Sequence, residues 1–339
     1  MKTIIKSHYF IYILTITGLL LGSCYSNTPE VAIEPRVIDS PEYLDDTLAK
    51  KRIFFNKFED GNSTVHITNL GHSDFVTFDL QLPGNDIVLS PEARYVAFTS
   101  LTKEENQFKS SLWLHEIKTN QETRIAGLTG DIFTVSYDSP NFSWDEREIL
   151  YFTTWYDREE LNLVLKDIST NNKTILATNQ NLISSPMFSP DGKYIIATCG
   201  GFDHDSGKPG FQICIMDSDG TNQELLTHNG DSHGSYTFTP DSQRVVYTEW
   251  ETGGLINLFE KPYHRIYSVA VDGSDRNMLM DFRGGIKGIS DDGQDIILEG
   301  RPTEDHPYSI YILGIDGTNL RLLTYFDDFL AEWYPDDEK

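Results

Sequence analysis

Histidine and carboxylate side chains, the groups of this chain best suited to metal binding or acid–base chemistry, gather in one part of the sequence. Imidazole nitrogens and carboxylate oxygens bind divalent cations such as zinc and manganese. The candidate residues, with one tryptophan among them, are His204, Asp205, His228, Asp231, His233, Trp250, Glu251, His264 and His306. No H-x-H or H-x-x-E-H spacing forces them together. We therefore predict a ligand- or partner-binding face without a cofactor, and a divalent metal site is the alternative.

A second pattern, the pentapeptide Gly230–Gly234, matches the nucleophile elbow G-x-S-x-G literally. The elbow exposes its serine where a strand turns sharply into a helix. Here the pentapeptide lies between two segments with strand character, and no helix pattern follows it. We interpret it as a glycine-rich loop and predict no catalytic residue, although the sequence leaves open whether the protein is an enzyme.

Short strands separated by tight turns surround these residues. The stretch Ser185–Thr227 contains four β-rich runs, with turns at Pro190–Gly192 and Asp219-Gly220 and a longer connection between the second and third runs. Asp-Gly favours two-residue hairpin turns, because both central residues need a positive φ. The stretch therefore predicts one four-stranded antiparallel sheet.

Imperfect sequence repeats of this stretch recur along the chain. The position of the turn proline is occupied in successive copies, 44 to 53 residues apart, by Pro91, Trp144, Pro190, Pro240, Asp291 and Pro335. Such a period with four strands in each copy is typical of propeller blades. In a blade, the connection between the second and third strands lies on the same face as the connection to the next blade. The candidate residues are therefore expected on one face.

The two ends of the repeat region complement each other. Three strands follow residue 51 without a leading strand, and Leu330–Pro335 supplies a leading strand near the C-terminus. Pairing these ends would complete a further blade and remove exposed sheet edges. We therefore predict an all-β fold over residues 51–339, a six-bladed β-propeller of four-stranded antiparallel blades, closed by pairing the C-terminal strand with the N-terminal blade.

The N-terminus has the pattern of a secretory signal. Lys2 and Lys6 precede the apolar run Tyr9–Leu21, which is followed by small residues. This run is shorter than the roughly 20 apolar residues of a transmembrane helix. The tetrapeptide Leu21–Cys24 resembles the bacterial lipobox, which implies cleavage before Cys24 and acylation of its thiol. We expect a lipoprotein signal peptide at 1–23 and a lipidated cysteine with a flexible tether at 24–50.

The charge of the chain limits its partners. The formal net charge is −25 for 339 residues, and no block of Lys or Arg is present. A field of this sign repels phosphate backbones and anionic lipid head groups. We therefore expect no nucleic-acid partner, membrane association through the N-terminal lipid only, and a monomer that binds an envelope protein or glycan.

Two cysteines remain after Cys24. Cys199 and Cys214 lie on neighbouring predicted strands, and an exported protein can form disulfides. The sequence allows either a bridge across this hairpin or two buried free thiols that pack as small apolar groups. We favour the free thiols.

The run FSPDGK with its apolar strand, followed by IMDSDGTN and LLT, resembles the TolB-type, WD-like β-propeller repeat of bacterial periplasmic proteins. The resemblance spans residues 51–335 and implies a cell-envelope location, which we expect to be the outer membrane facing the periplasm, with the cell surface as an alternative. TolB itself has a separate α/β domain before its propeller, whereas only a short tether precedes the repeats here.

These observations favour a lipid-anchored, non-catalytic module that binds or scaffolds a protein or another ligand. The alternative is a metal-assisted carbohydrate-active enzyme, or a sugar-binding protein, because some polysaccharide lyases built on propellers use a central metal.

Overall fold

The regular structure is entirely β-strand in the part of the chain that the computed structural model describes. The described residues are 36–37, 52–59, 62–69, 76–82, 85–104, 107–127, 135–155, 159–178, 182–202, 209–227, 232–250, 264–290, 292–303, 305–306, 308–324 and 330–334. The strands in chain order are β1 Arg36–Val37, β2 Arg52–Glu59, β3 Asn62–Asn69, β4 Val76–Leu82, β5 Asn85–Leu89, β6 Tyr95–Glu104, β7 Gln107–Glu116, β8 Gln121–Gly127, β9 Val135–Phe142, β10 Glu148–Trp155, β11 Glu160–Asp167, β12 Lys173–Thr178, β13 Leu182–Phe188, β14 Tyr194–Phe202, β15 Pro209–Asp217, β16 Glu224–Leu225, β17 Ser232–Phe238, β18 Arg244–Trp250, β19 His264–Ala270, β20 Asn277–Asp281, β21 Arg283–Ile289, β22 Asp295–Arg301, β23 Ser309–Gly314, β24 Arg321–Thr324 and β25 Leu330–Tyr334. Within these residues, no helix has the length and apolar character needed to cross a membrane.

Strands β5 to β24 form five antiparallel sheets, each built from four consecutive strands. We call them blades 1 to 5: β5–β8, β9–β12, β13–β16, β17–β20 and β21–β24. The first strands of neighbouring blades contact one another, as β9 does with β5 and β13 and as β17 does with β21. The first strand of each blade is therefore its inner strand, and the fourth lies at the outer edge.

The predicted six four-stranded antiparallel blades are wrong, because the described structure has five. The remaining strands form a sheet of another kind, five-stranded with the order β1-β4-β3-β2-β25. In it, β25 pairs antiparallel with β2, from Arg52 opposite Tyr334 to Asn56 opposite Leu330. At its other edge β1 pairs parallel with β4. The sheet is thus mixed rather than antiparallel, because a short strand from the segment assigned to the tether adds to it.

Hydrogen bonds made by side chains explain why the Ser-Pro-Asp-Gly pattern forms the turn between the first and second strands of a blade. In blade 3 the Ser189 hydroxyl donates to Asp191 Oδ1 at 2.7 Å and accepts from the Tyr194 amide at 2.9 Å. The Asp191 carboxylate accepts from the Lys193 amide at 3.1 Å. Local bonds of this kind favour turns over strands. The same hydroxyl-to-carboxylate bond occurs in blades 2, 4 and 5 at Ser143 and Asp145, Thr239 and Asp241, and Ser290 and Asp292.

Blade 1 lacks the aspartate of this turn and receives a carboxylate from blade 2 instead. Glu92 stands at the aspartate position, and its amide donates to Glu146 Oε1 at 2.8 Å. Burial raises the pKa of Glu146, although its hydrogen bonds to Ser90 and Glu92 oppose the shift. Glu146 thereby links the turns of two neighbouring blades.

The apolar core lies between the blades. Each of four clusters of buried side chains combines residues of two successive blades, as when Phe152 and Leu163 of blade 2 pack with Ile195 and Met216 of blade 3. The other clusters join blades 1 and 2, blades 3 and 4, and blades 4 and 5. Because each sheet buries its surface against the next one, the blades hold their strand ends in fixed positions.

Candidate binding face

The connections to neighbouring blades and the connections between second and third strands leave from the same strand ends. We call the surface formed by these ends in blades 3 to 5 the upper face. Of the predicted site residues, His233, His264 and His306 are described with their side chains, and Trp250 is described by its backbone. The other candidates, together with the lipidation site, lie outside the described residues: Cys24, His204, Asp205, His228, Asp231 and Glu251.

The His233 side chain is buried rather than displayed in a loop. His233 belongs to β17 and is 5% exposed. Its Nδ1 lies 2.8 Å from the carbonyl oxygen of Phe211 in blade 3, so Nδ1 is the donor. Its Nε2 lies 3.6 Å from Glu249 Oε2. The strand also explains the nucleophile-elbow pattern: Ser232 begins β17, so the chain enters a strand here and not a helix.

Glu249 connects His233 to an arginine. The Glu249 side chain is 4% exposed, and Arg276 Nη2 donates to its Oε2 at 2.5 Å. Arg276 Nε donates to the Tyr247 hydroxyl at 2.7 Å, and its guanidinium stacks 3.7 Å from the Tyr267 ring centre. Hydrogen bonds of this charge-assisted kind are strong, and the stacking adds a cation–π contribution.

The electrostatics of this network follow from burial and from the arginine. Burial raises the pKa of Tyr247 to about 12, against the opposing effect of Arg276. Burial alone would lower the pKa of Arg276, but its hydrogen bonds to Tyr247 and Glu249 outweigh that effect and raise it. The Glu249 carboxylate thus lies between the Arg276 guanidinium and the His233 imidazole, and the His233 bond to the Phe211 carbonyl links this network to blade 3.

The other two predicted histidines whose side chains are described do not converge on His233. His264 lies opposite Trp250 in the strand ladder, and its Nδ1 is 2.9 Å from the carbonyl oxygen of Gly284 in blade 5. His306 is exposed in the connection after β22, where its Nδ1 is 2.7 Å from the Thr303 hydroxyl. Within the described residues, no group of three or more His, Cys, Asp or Glu side chains is placed to hold a metal ion.

A pair of aspartates on the inner strands of blades 1 and 2 was not anticipated from the sequence. Asp86 and Asp138 lie at β-bulges, where the register shifts and where Asp86 and Ser139 adopt positive φ values of 45° and 51°. Bulges of this kind re-aim side chains. The Thr99 hydroxyl donates to Asp86 Oδ2 at 3.2 Å. A signal was present in the sequence, since Asp86 and Ser139 both stand four residues before the turn serine of their blades.

The charge of Asp86 affects the ionisation of Asp138. Burial raises the pKa of Asp138 to about 7, and the charge of Asp86 adds to the shift. Burial also raises the pKa of Asp86, while its hydrogen bonds to Thr99 and Ser139 act against this. Asp86 keeps exposed surface on its inner strand. Both groups therefore ionise less readily than ordinary aspartates.

The two cysteines are joined. Cys199 and Cys214 form a disulfide whose Cα atoms are 5.8 Å apart, and both residues are almost fully buried. Our preference for free thiols was therefore wrong. The bridge links β14 to β15 below the connection of residues 203–208, and the Gln223 side-chain amide lies against it.

No protein-family profile matches the sequence. No curated protein matches it either. Solved structures do match. TolB from Acinetobacter baumannii aligns with a TM-score of 0.61 and 18% identity, over 84% of this chain and 66% of that one. An oligogalacturonate lyase in complex with manganese aligns with a TM-score of 0.58 and 15% identity, over 82% of this chain and 75% of that one.

A third solved structure, oligogalacturonate lyase from Vibrio parahaemolyticus, aligns with a TM-score of 0.57 and 14% identity, over 83% of this chain and 76% of that one. At these identities the likeness shows the fold and nothing more, and the chain spans just under two thirds of the length of that TolB. Together with the five four-stranded blades, the comparisons show that this chain has the TolB-type β-propeller fold.

Proposed function

We propose that this protein is a lipid-anchored propeller of the bacterial cell envelope that binds another envelope protein through its upper face and performs no catalysis itself. The observation that carries the proposal is the arrangement of the connections. In blades 3 and 4 the segments 203–208 and 251–263 join second to third strands, and they leave from the same strand ends as the connections between blades. Long connections on a rigid scaffold are common positions for binding sites.

The leader and the fold support the location. The lipobox-like Leu21–Cys24 implies an acylated N-terminus, and two or three acyl chains anchor far more firmly than one. The TolB propeller, which shares the fold, is the comparison that favours an envelope role. In this proposal the lipid holds the protein at the membrane, most simply the outer membrane facing the periplasm, while the upper face remains accessible to a partner.

A pull-down from envelope extracts tests the proposal, with the mature chain as bait. We expect one or a few proteins to be retained by the parent and lost with a His204→Ala/Asp205→Ala variant. Glu224→Ala is the matched control, since it also removes one carboxylate but lies on the exposed outer strand of blade 3. Equal retention by both variants would contradict the upper face as the binding surface.

A carbohydrate-active enzyme or sugar-binding protein is the second candidate, favoured by the likeness to oligogalacturonate lyases, one of them solved with manganese. The described residues offer no group of three or more His, Cys, Asp or Glu side chains placed to hold a metal ion, and Glu249 pairs with Arg276. Metal analysis of protein purified without chelator tests this candidate. Stoichiometric metal in the parent that is lost in the His228→Ala/His233→Ala variant would support this second candidate.

A further inference from the structure

The short strand β1 lies at the outermost edge of the sheet that joins the two ends of the chain. We call this sheet of β1 to β4 and β25 the terminal sheet. Its strand order is β1-β4-β3-β2-β25, and β25 contacts β21, the inner strand of blade 5. β25 is therefore the inner strand, β4 has the position of a fourth strand, and β1 adds a fifth beyond it. In the other five sheets the outer edge is the fourth strand.

The direction of β1 determines from which end of the terminal sheet the chain enters it. β4 ends at Leu82 and β5 of blade 1 begins at Asn85, so Leu82 lies at the upper end, where neighbouring blades are connected. We call the opposite end the lower end. β1 runs parallel to β4, with Arg36 opposite Val76, the first residue of β4. The chain therefore enters β1 from the lower end of the sheet, opposite to the upper face.

This entry point shortens the free tether between the lipid and the first strand. Arg36 stands 12 positions after Cys24. An extended chain spans at most 3.3–3.6 Å per residue, so these positions reach about 40 Å. Attachment at β2, which begins at Arg52, would leave 28 positions with a reach of about 95 Å. The pairing of β1 thus cuts the reach of the tether by more than half.

The height of the sheet gives the shorter tether a preferred direction. β4 has seven residues and is therefore about 23 Å long. To turn the upper face towards the membrane, the tether must pass this height, which takes more than half of its extended length. Stretching a chain costs conformational entropy. A tether of 12 positions therefore favours the lower end on the membrane side, whereas a tether of 28 positions has length to spare.

The charge of the protein favours separation from the lipid over contact with it. The formal net charge is −25, and anionic lipid head groups repel a field of this sign. At physiological ionic strength this repulsion is screened over about 8 Å, far less than the reach of the tether. The propeller can therefore stay near the membrane without resting on it.

Protection of a sheet edge is the structural alternative for β1. An exposed edge strand invites pairing with another chain, and a covering strand prevents this. Such a role depends on the backbone of Arg36 and Val37 alone. It does not depend on how many residues precede them, so the two roles differ in their response to tether length.

From the position and direction of β1 we infer that the lower end of the terminal sheet is held towards the membrane and that the upper face is directed into the aqueous space. The partner therefore reaches the upper face with a segment that stands away from the bilayer, as a soluble protein or an extramembrane domain does. This inference rests on the proposed lipid anchor and upper-face binding, and it adds the direction from which the partner approaches.

Energy transfer from the protein to labelled lipid tests the orientation. The mature chain, produced with its leader so that Cys24 is acylated, is placed in vesicles of phosphatidylethanolamine and phosphatidylglycerol with an acceptor dye on the head groups. A donor dye is attached at Gln294→Cys, in the turn between β21 and β22 at the lower end of blade 5, or at Asp305→Cys, in the connection between β22 and β23 at its upper end. Both positions are exposed, and Cys199 and Cys214 are paired with each other. We expect transfer to be about twofold more efficient from the lower label, because the length of a strand separates the two.

Two matched insertions separate orientation from edge protection. About 16 Gly and Ser residues inserted after Asn27 lengthen the chain before β1, and the ratio of the two transfer efficiencies should fall towards one. The same insertion after Ser40 lies between β1 and β2, beyond the point of attachment, and should leave the parental ratio unchanged. Equal transfer from both labels in the parent would overturn the inference, and so would an equal fall of the ratio with both insertions.

Flotation of the vesicles distinguishes this failure from failure of the proposed function. A mature chain that stays behind when the vesicles float has no working lipid anchor, so the proposed function and the inference fail together. A chain that floats but shows equal transfer from both labels keeps the anchor, and only the inference fails.

Discussion

Two regions of the propeller hold carboxylates among closely packed strands and stabilise them in opposite ways. In blades 1 and 2, burial raises the pKa of both Asp86 and Asp138, and the charge of Asp86 adds to the shift of Asp138. In blade 4, Glu249 lies between His233 and Arg276 and accepts a charge-assisted hydrogen bond. The first site favours protonation, and the second favours an ion pair.

The difference shows that the repeated strands determine where a carboxylate lies, whereas a few neighbouring side chains determine whether it is charged. Both sites involve inner strands with a bulge at the same place, since the register of β17 also shifts, between His233 and Tyr236. Blade 4 supplies an arginine from the turn between its third and fourth strands, whereas burial is the main influence on the two aspartates. One backbone thus carries carboxyl groups with raised pKa values in one place and an ion-paired carboxylate in another.

The largest effect should come from removing the arginine of the charged network. Arg276→Ala leaves the buried Glu249 carboxylate without its main partner, and we expect a loss of about 2–3 kcal/mol of unfolding free energy. Urea denaturation at neutral pH measures it. The unfolding free energy of Arg276→Lys should lie between those of the parent and of Arg276→Ala, because a lysine ammonium cannot bond Tyr247 and Glu249 together as the forked guanidinium does. A loss below about 0.5 kcal/mol would show that the network contributes little.

The next effect concerns the aspartate pair and depends on pH. Because the pKa of Asp138 is raised to about 7 in the folded protein, its contribution to stability is fully present below the unfolded pKa and is lost as the pH rises through about 7. Asp138→Asn removes this loss. Relative to the parent, the unfolding free energy of the variant should rise by about 2 kcal/mol between pH 5 and pH 8. Urea denaturation at both pH values measures this change. A pH-independent difference would contradict the assignment.

A smaller effect tests the coupling within the pair. Asp86→Asn removes the neighbouring charge, so the pKa of Asp138 should fall below about 7 but stay raised, because burial is the larger cause. Carbon-13 NMR of the labelled aspartate carboxyls follows the titration. An unchanged pKa of Asp138 would show that the two groups do not sense each other.

The smallest effect should come from an exposed ion pair in the same blade as the network. Arg244 bonds Asp275 at 2.7 Å, but the Asp275 side chain is 64% exposed. Exposed pairs contribute little, so Asp275→Asn should change the unfolding free energy far less than Arg276→Ala does. If the two losses matched, burial of the carboxylate, whose side chain is 64% exposed in Asp275 and 4% in Glu249, would not be what separates the two ion pairs.

Much of the fold could be predicted from the sequence, because its turns are encoded locally. The hydroxyl and carboxylate of Ser189 and Asp191 form the turn that their spacing predicts, and the same pair marks three other blades. The number of blades could not be predicted in this way. The pairing of Arg36–Val37 with β4 is a contact between segments far apart in the chain, and no local pattern announces it.

The site was predicted less well, because burial and charge depend on neighbouring blades. His233 was expected on a binding face, but the structure places it inside β17 against the Phe211 carbonyl of another blade. Burial raises the pKa of Asp138, and the charge of Asp86, 52 positions earlier in the chain, adds to the shift. Local spacing can locate such residues at a turn or bulge, but it does not show which charge they will meet.

The pairing of β25 with β2 has a consequence for how the protein is made. Arg52 finds its partner at Tyr334, so the terminal sheet cannot be completed until almost the whole chain has been synthesised. Contacts between such distant residues slow folding, because a long loop must be closed first. The N-terminal strands therefore have an unpaired edge throughout synthesis. Until β25 is made, this edge is open to the unwanted pairing that exposed sheet edges permit.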